Sequence, residues 1–292
     1  MIATWFSIAA LVVAGAVFYL FFYTDWRRRR AAALPFPASW HEFLMDTMVL
    51  YRRLPAELRA KLQRLILIFL DEKRFYGCDG LSVTETMRVV IAAHACLLVL
   101  NRGMSHYDRL RSILIYPSVY RTHDEIYDLG GVYSRHPTER LGESWHEGRV
   151  ILSWTDVLDD AQSLHPGENV TLHEFSHQLD QINGDADGLP ILTQQQSIQE
   201  WTAIFEAEFR DLRENLDDDH EPLHEYGGEN PAEFFAVATE AFFTNPGDLK
   251  QERPRLYDQL RAFYQLDPAT WPDPSPDAAA LNESARGQTL IH

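Results

Sequence analysis

Hydrophobic residues recur along this chain in several distinct patterns, and each pattern predicts a different structural element. Residues 2–23 form an uncharged apolar run that, at the rise of an α-helix, would cross about 30 Å of hydrocarbon. Apolar residues return every three or four positions between 54 and 73, which predicts an amphipathic helix. The short β-rich runs 112–117 and 148–154 predict strands, and 127–134 is a third candidate. Together these patterns indicate a helix-rich α+β fold with a small β-sheet, preceded by one transmembrane helix.

The residues beside the apolar run predict how it would lie in a membrane. Four arginines, Arg27 to Arg30, follow it directly, and no basic residue precedes it. A cleavable signal peptide has the opposite order, with its positive charge before a shorter apolar segment. Because positive charge stays on the cytoplasmic side, residues 2–23 are expected to be a single-pass anchor in the inner membrane, with the rest of the chain in the cytoplasm. The alternative is a buried helix of a soluble core.

Three further helices are predicted from caps and spacing. The stretch 82–85 has the form of a capping box and would open a helix that runs to about residue 100. Residues 194–216 show helical spacing with large aromatic side chains. Asn230 followed by proline is a typical helix start, and the helix that it opens carries the almost wholly apolar segment 233–243.

Charge and cysteine content exclude several classes of function. The chain has 26 Lys and Arg against 43 Asp and Glu, which gives a formal net charge of −17. Because so acidic a protein repels phosphate backbones, nucleic acid is not an expected partner. The two cysteines, Cys78 and Cys96, are too few for a disulfide framework or a cysteine-based zinc site.

The strongest chemical signal is the pattern H-E-x-x-H at residues 173–177. In a helix, His173 and His177 lie one turn apart on the same face and can bind one Zn²⁺. Glu174 lies beside them, where it can act as general base toward a metal-bound water. The same pattern can occur by chance on a surface helix, but the apolar residues at 170, 172, 175 and 179 predict that this helix packs against a core.

A catalytic zinc site needs a third protein ligand and keeps one position open for water. The spacing of the metzincin class would require glycine at 180 and histidine at 183, where this chain has Asp180 and Asn183. The candidates that remain are Glu233, Glu240 and His224. The two glutamates lie two turns apart on one helix face, so the residues alone do not separate them. Asp180 would either hold a ligand imidazole by its other nitrogen or form a polar helix end.

Several separated motifs resemble one known family. The order H-E-F-S-H-Q-L-D-x-x-N-G-D, then Y-x-x-x-x-P-A-E-F-F-A-V-x-x-E-x-F-F, with L-I-Y-P and I-L-S-W before them, is similar to the Mlc titration factor A (MtfA) family of gluzincin-type zinc peptidases. The resemblance covers residues 54–271. The catalytic core of that family is in turn similar to the protease domain of anthrax lethal factor.

The resemblance implies an activity, partners and site residues. It implies peptide hydrolysis of an aminopeptidase-like kind, a link to sugar uptake, and two kinds of partner: a peptide or protein substrate and a Mlc-like transcriptional repressor. It makes Glu240 a structural residue or a partner of a ligand. The site residues that it implies are the ligands of one zinc ion per chain, His173, His177 and Glu233, the general base Glu174, and the hydroxyl that stabilises the oxyanion, Tyr226.

Four segments are therefore predicted. Residues 1–30 are a transmembrane anchor with a basic stop, 31–50 a juxtamembrane linker, 51–272 a zinc metallopeptidase domain and 273–292 a flexible tail. The rival interpretation is a membrane-tethered regulatory protein that binds a repressor and whose zinc site has little catalytic flux. Glu174 favours the enzyme, because a structural zinc site needs no further carboxylate beside the metal.

Overall fold

Helices dominate the fold, and a small sheet lies among them. The computed structural model describes residues 2–118, 148–215 and 221–272, so the predicted strand at 127–134 and the predicted tail at 273–292 lie outside the described residues. In chain order the helices and strands are α1 (Ile2–Ala32), α2 (Ala38–Thr47), α3 (Val49–Arg53), α4 (Ala56–Glu72), β1 (Arg74–Gly77), α5 (Glu85–Leu98), β2 (Ser112–Tyr116), β3 (Arg149–Ser153), α6 (Trp154–Gln162), α7 (Val170–Asp180), α8 (Ile198–Glu214), α9 (Pro231–Thr244), α10 (Pro246–Glu252) and α11 (Pro254–Tyr264). Short 3-10 helices cover Met104–Tyr107, Gln181–Asn183, Glu225–Gly228 and Pro268–Thr270. The predicted α+β class is confirmed.

The three strands form a parallel sheet with β2 in the centre. Ser112 of β2 pairs with Arg74 of β1 and with Arg149 of β3. The strands predicted at 112–117 and 148–154 are therefore confirmed. The sequence does not predict β1, because a strand of four residues with mostly exposed side chains has no apolar run of its own.

Helix α7, which carries the H-E-x-x-H pattern, lies in the core. The ring of Phe175 packs edge-on against Phe69 of α4 and against Tyr107, with ring centroids 6.0 and 5.9 Å away. The side chain of Asn169 caps the N-terminus of the helix, since its Oδ1 accepts from the backbone N–H of Leu172 at 2.8 Å. The predicted packing of this helix against a core is confirmed.

Helix α9 is as deeply buried as α7 and packs against it. Asn230 caps its N-terminus, where Oδ1 accepts from the backbone N–H groups of Ala232 at 3.0 Å and Glu233 at 3.1 Å. The predicted helix start is therefore confirmed. Because every residue of the helix from Ala232 onward is buried, its two glutamates are carried into the interior beside α7.

The start of α5 differs from the prediction by two residues. Thr84, not Ser82, is the cap: its Oγ1 accepts from the backbone N–H of Met87 at 3.2 Å. The Sδ of Met87 accepts in return from the backbone N–H of Thr84 at 3.5 Å, which is the position that a glutamate takes in the usual capping box. Glu85 lies instead in the first turn, where its charge complements the helix dipole.

The N-terminal helix α1 runs through the predicted anchor and the arginine cluster without a break and ends at Ala32. The structure does not support the predicted transmembrane helix: among the described residues, no helix is both long enough and apolar enough to cross a membrane.

The arginine cluster binds carboxylates of the protein itself. Arg27 forms an ion pair with Asp71 at 2.6 Å. Arg28 pairs with Glu72 at 2.7 Å and with Asp108 at 2.5 Å. These contacts join the C-terminal end of α1 to the end of α4 and to the 3-10 turn beyond α5.

The structure corrects the predicted linker at residues 31–50. This segment contains α2 and the start of α3, and it buries Leu44 and Leu50 in the core. Pro37, which in the sequence suggests a flexible spacer, is the residue directly before α2. Because the apolar side chains of the segment have packing partners, it belongs to the folded domain.

Candidate metal centre and active site

Two packed helices bring the predicted ligands together. His173 and His177 project from successive turns of α7, and Glu233 projects from the first turn of α9. Local sequence sets each position: the two histidines are four positions apart, and the Asn230 cap makes Glu233 the third residue of its helix. All three side chains are buried.

The three ligand atoms face one another. The Oε2 atom of Glu233 lies 2.9 Å from Nε2 of His173 and 3.5 Å from Nε2 of His177, and the two imidazole nitrogens are 3.1 Å apart. Four groups held at zinc–ligand distances of about 2.1 Å in a tetrahedron are about 3.4 Å from one another. Two imidazoles and one carboxylate at these separations therefore fit one zinc ion and leave its fourth position to water.

The electrostatics of the cluster favour a cation at its centre. Burial lowers the pKa of His173, but the charges and hydrogen bonds of Glu240 and Glu233 outweigh burial and raise that pKa to about 10. Burial raises the pKa of Glu233, and hydrogen bonds from the two histidines more than reverse this effect, so the pKa lies below its usual range. Without metal, a proton on His173 balances the carboxylates; a divalent cation can take the place of that proton.

Glu240 lies behind His173 rather than beside the ligand atoms. Its Oε1 accepts from Nδ1 of His173 at 2.7 Å, and its Oε2 accepts from the backbone N–H of Asn169. An outer carboxylate on Nδ1 fixes the tautomer and the orientation of a ligand imidazole. The structure thus separates the two glutamates of α9: Glu233 faces both Nε2 atoms, and Glu240 faces the far side of one ring.

The other two candidates take different positions. His224 is the residue before the 3-10 turn 225–228, and its Nδ1 accepts from the backbone N–H of Tyr226 at 3.1 Å. Asp180 does not hold an imidazole; its Oδ2 accepts from the backbone N–H of Gly188 at 3.0 Å. Of the two roles that the sequence left open for Asp180, the structure thus shows the polar helix end, which fixes the loop after α7.

Glu174 and Tyr226 flank the ligand cluster. Glu174 is buried on α7 next to His173, and the ring of Tyr226 has its centroid 6.0 Å from that of His173. Burial raises the pKa of Tyr226, and the charges of Glu233 and Glu174 raise it further. The phenol therefore keeps its proton at neutral pH and can donate a hydrogen bond in the site.

One buried residue that supports the start of α7 was not predicted from the sequence. Asp160 of α6 accepts with Oδ2 from the backbone N–H of Thr171 at 2.8 Å and from its hydroxyl at 2.6 Å, at the start of α7. Burial raises the pKa of Asp160 to about 7. The only signal in the sequence is its place beside Val157 and Ala161, which share a face of α6 and are buried with it.

Comparisons with known proteins identify the family of this chain. The sequence profile of the family described as "Glucose-regulated metallo-peptidase M90" matches residues 23–265. Mlc titration factor A of Cronobacter sakazakii is 32% identical over 247 residues, which cover 83% of this chain and 91% of that protein. This chain belongs to the MtfA family. The predicted membership of this family is confirmed, and as a member the chain is of a metallopeptidase type.

Two further relatives of this MtfA family member extend the match. Mlc titration factor A of Klebsiella pneumoniae is 33% identical over 218 residues, covering 73% of this chain and 81% of that protein. A Synechocystis protein, "Uncharacterized protein slr2042", is 36% identical over 267 residues, covering 90% of this chain and 97% of that protein. The family match at residues 23–265 includes the segments that carry the metal centre.

Proposed function

We propose that this protein is a zinc-dependent metallopeptidase that hydrolyses peptide bonds. The observation that carries the proposal is the convergence of His173, His177 and Glu233, with Glu174 buried beside them on α7. A site that only holds zinc needs ligands, whereas hydrolysis also needs a base for the attacking water. The family match supports the same reaction type.

Each residue of the site has a separate task in the proposed reaction. Zinc, when bound, would supply a Lewis acid for the scissile carbonyl and lower the pKa of a water to about 7. Glu174 takes a proton from the attacking water and gives it to the leaving amine. Tyr226 donates a hydrogen bond to the carbonyl oxygen as it gains negative charge. Glu240 holds the ring of His173 so that Nε2 faces the ligand cluster.

Substrate and partner are proposed from the relatives. Two of them bear the name Mlc titration factor A, and the family is described as glucose-regulated. We therefore propose a Mlc-like transcriptional repressor as partner and a role in the regulation of sugar uptake. Aminopeptidase-like cleavage is proposed from the resemblance of the sequence motifs to the MtfA family. The second candidate function is a regulatory protein that binds such a repressor, with a zinc site of little catalytic flux. The name Mlc titration factor A describes titration rather than cleavage, which favours keeping this candidate.

The general base gives the direct test of hydrolysis. We expect Glu174→Gln to lower the rate on a panel of aminoacyl and peptide substrates by about 10²-fold or more, because the amide cannot take the proton of the attacking water. The rates and the bound zinc are measured on the same zinc-loaded samples. Glu206→Gln, an exposed glutamate of α8, is the matched control and should keep the wild-type rate.

The two functions predict different outcomes of this test. A fall in rate with full zinc content supports the peptidase. Equal and negligible rates in wild type and Glu174→Gln would contradict the peptidase and favour the regulatory protein, which then requires capture of a repressor by the zinc-loaded chain.

We also propose that residues 2–23 attach the protein to the inner membrane, with the catalytic domain in the cytoplasm. The support is the uncharged apolar run with arginines directly after it, and the exposure of Phe18 and Phe22 on α1. A reporter fused after His292 should give a cytoplasmic signal, and the fusion should sediment with membranes. A periplasmic signal would overturn the orientation, and a fusion that stays wholly in the supernatant would overturn the attachment.

A further inference from the structure

One face of α1 carries an exposed row of aromatic side chains. Tyr19, Phe22 and Trp26 are 62%, 57% and 50% exposed. The ring of Tyr19 stacks on that of Tyr23 with centroids 4.9 Å apart, and the ring of Tyr23 packs against that of Trp26 at 6.0 Å. A contiguous exposed apolar surface often marks contact with a partner or a membrane. Tyrosine and tryptophan in particular are enriched where a membrane meets water.

The four arginines that follow this aromatic row divide into two pairs. Arg27 and Arg28 form ion pairs with carboxylates of the domain, so their charges are balanced inside the protein. Arg29 and Arg30 are exposed, and in the part of the chain that the structure describes neither guanidinium forms an ion pair, not even with Asp25 one turn before Arg29. The charge of this second pair is therefore available to a ligand outside the chain.

The exposed pair of arginines continues the aromatic face. Arg29 and Arg30 follow Trp26 by three and four residues, which places them on the same face of the helix. The Cζ atom of Arg30 lies 5.7 Å from the centroid of the Trp26 ring, so this side chain extends back toward the N-terminal end of α1. One external surface can therefore contact the aromatic rings and the guanidinium groups together.

The distance along the helix matches the depth of a lipid headgroup layer. At a rise of about 1.5 Å per residue, Arg29 and Arg30 lie about 10 Å beyond Tyr23, where the apolar run ends. The headgroup layer on one side of a bilayer is about 6 Å thick. Because a long basic side chain can extend back along its helix, it covers the difference. With residues 2–23 in the membrane, both guanidinium groups reach the level of the lipid phosphates.

The chemistry of a guanidinium favours an anionic headgroup. A guanidinium binds phosphate oxygens through two parallel hydrogen bonds. The phosphate of a zwitterionic lipid already has a cationic partner in its own headgroup, whereas the phosphate of an anionic lipid has none. Because the chain has a formal net charge of −17, an anionic surface repels most of the protein and attracts a local cationic patch.

We propose that Arg29 and Arg30 bind the phosphate groups of anionic phospholipids, with Trp26 at the same interface. The inference rests on the proposed membrane attachment through residues 2–23 and names the lipid partner of that attachment. The arginine cluster then has two tasks: Arg27 and Arg28 hold α1 to the domain, and the other two arginines bind the membrane surface.

Direct lipid binding tests this inference. The full chain in micelles of a neutral detergent is titrated with phosphatidylglycerol or with phosphatidylcholine of the same acyl chains, and bound lipid is counted by native mass spectrometry. We expect wild type to bind phosphatidylglycerol more tightly than phosphatidylcholine. Arg29→Gln combined with Arg30→Gln should raise the Kd of phosphatidylglycerol about 25-fold, because each basic side chain near an anionic lipid strengthens binding about fivefold. The Kd of phosphatidylcholine should change much less.

Two controls separate lipid binding from net charge and from folding. Arg210→Gln combined with Arg255→Gln removes the same charge at exposed positions outside α1 and should keep the wild-type preference. Arg29→Lys combined with Arg30→Lys should also keep most of the preference, since an ammonium group binds phosphate as a point charge. The midpoint of thermal unfolding should be the same in all these variants, because the replaced side chains are exposed.

Two results would overturn the inference. The first is a glutamine double variant that binds phosphatidylglycerol as tightly as wild type, which would mean that the lipid is bound elsewhere. The second is equal binding of the two lipids by wild type, as expected if the exposed face of α1 instead binds a second copy of the chain. Failure of the proposed attachment has a different signature, namely a reporter fusion that stays wholly in the supernatant when cells are fractionated.

Discussion

The candidate metal centre and the cluster around Arg253 both gather charges in the interior, but they balance them differently. Arg253 is 6% exposed, and its guanidinium donates to Glu208 at 2.7 Å and to Glu221 at 2.9 Å and pairs with Asp211 at 2.9 Å. Here the chain itself supplies the cation. The balance of charge therefore does not depend on anything the solution provides.

At the metal centre the chain supplies mainly the negative charge. Glu233 and Glu240 lie on opposite sides of the His173 ring, at 2.9 and 2.7 Å, and the balancing charge is either a proton on that ring or a metal ion. The difference teaches how the two clusters serve the protein. The guanidinium of Arg253 is a permanent cation and holds α8, the segment before Tyr226 and α11 together. The proton or metal ion at the metal centre can be exchanged, and a bound metal ion can take part in a reaction.

The largest expected effect is on zinc affinity. Glu233→Gln removes the carboxylate that faces both Nε2 atoms, and Glu240→Gln removes only the outer partner of His173. Loss of an outer partner typically weakens metal binding 10- to 100-fold. We expect Glu233→Gln to weaken zinc binding by more than this and Glu240→Gln to remain within it, as measured by competition with a chromophoric chelator.

His173→Ala provides the reference for complete loss, because it removes a ligand atom and both carboxylate contacts. It should retain no stoichiometric zinc. The reverse order of the two glutamate variants would move the third ligand to Glu240 and would contradict the geometry of the site.

The contribution of the Arg253 cluster to stability should not depend on metal. Arg253→Met removes the cation and leaves Glu208, Glu221 and Asp211 close together, which should cost about 3 kcal/mol in the free energy of unfolding. The measurement is urea unfolding with zinc and with a chelator, and the loss should be the same in both. Arg255→Met, at a neighbouring exposed position, should change little. A loss that depends on metal would show that the two clusters are coupled.

The metal centre was more accessible to prediction than the rest because its parts follow local rules. Four-residue spacing places His173 and His177 on one face, and the Asn230 cap places Glu233 in a first turn. Choosing Glu233 over Glu240 needed the family resemblance, since the contact with His173 joins residues 60 positions apart. Which carboxylate meets which nitrogen is decided by the packing of α7 on α9.

The N-terminal region shows where sequence patterns fail. The sequence does not show that the arginines after the apolar run have partners inside the fold: Arg28 forms ion pairs with Glu72 and Asp108, which lie 44 and 80 residues away. The prolines in 31–50 predict a linker, yet the segment contains α2 and the start of α3 and buries Leu44 and Leu50 in the core. Composition indicates which structure a segment favours in isolation. Here contacts with residues far away in the sequence determine the structure that the segment adopts.

The smallest expected effect concerns a buried carboxylate that neither kind of cation balances. Asp160 contacts the backbone N–H and hydroxyl of Thr171, and burial raises its pKa to about 7, against about 3.9 in an unfolded chain. Because the folded pKa is the higher one, protonation stabilises the fold. This contribution is complete below about pH 4 and is lost as the pH rises through 7.

Asp160→Asn keeps an oxygen acceptor for Thr171 and cannot ionise, so it should be more stable than wild type at pH 8 by about 2 kcal/mol and equal to it at pH 4. Urea unfolding across this pH range measures the difference, and Asp159→Asn, which changes a half-exposed side chain of the same helix, should show no such gain. The opposite result, a variant less stable at pH 8, would mean that the N-terminal dipole of α7 outweighs burial and keeps Asp160 ionised. In that case the positive N-terminal end of α7 would stabilise the Asp160 carboxylate. Asp160 would then resemble the Arg253 cluster, because groups of the chain itself would balance its charge.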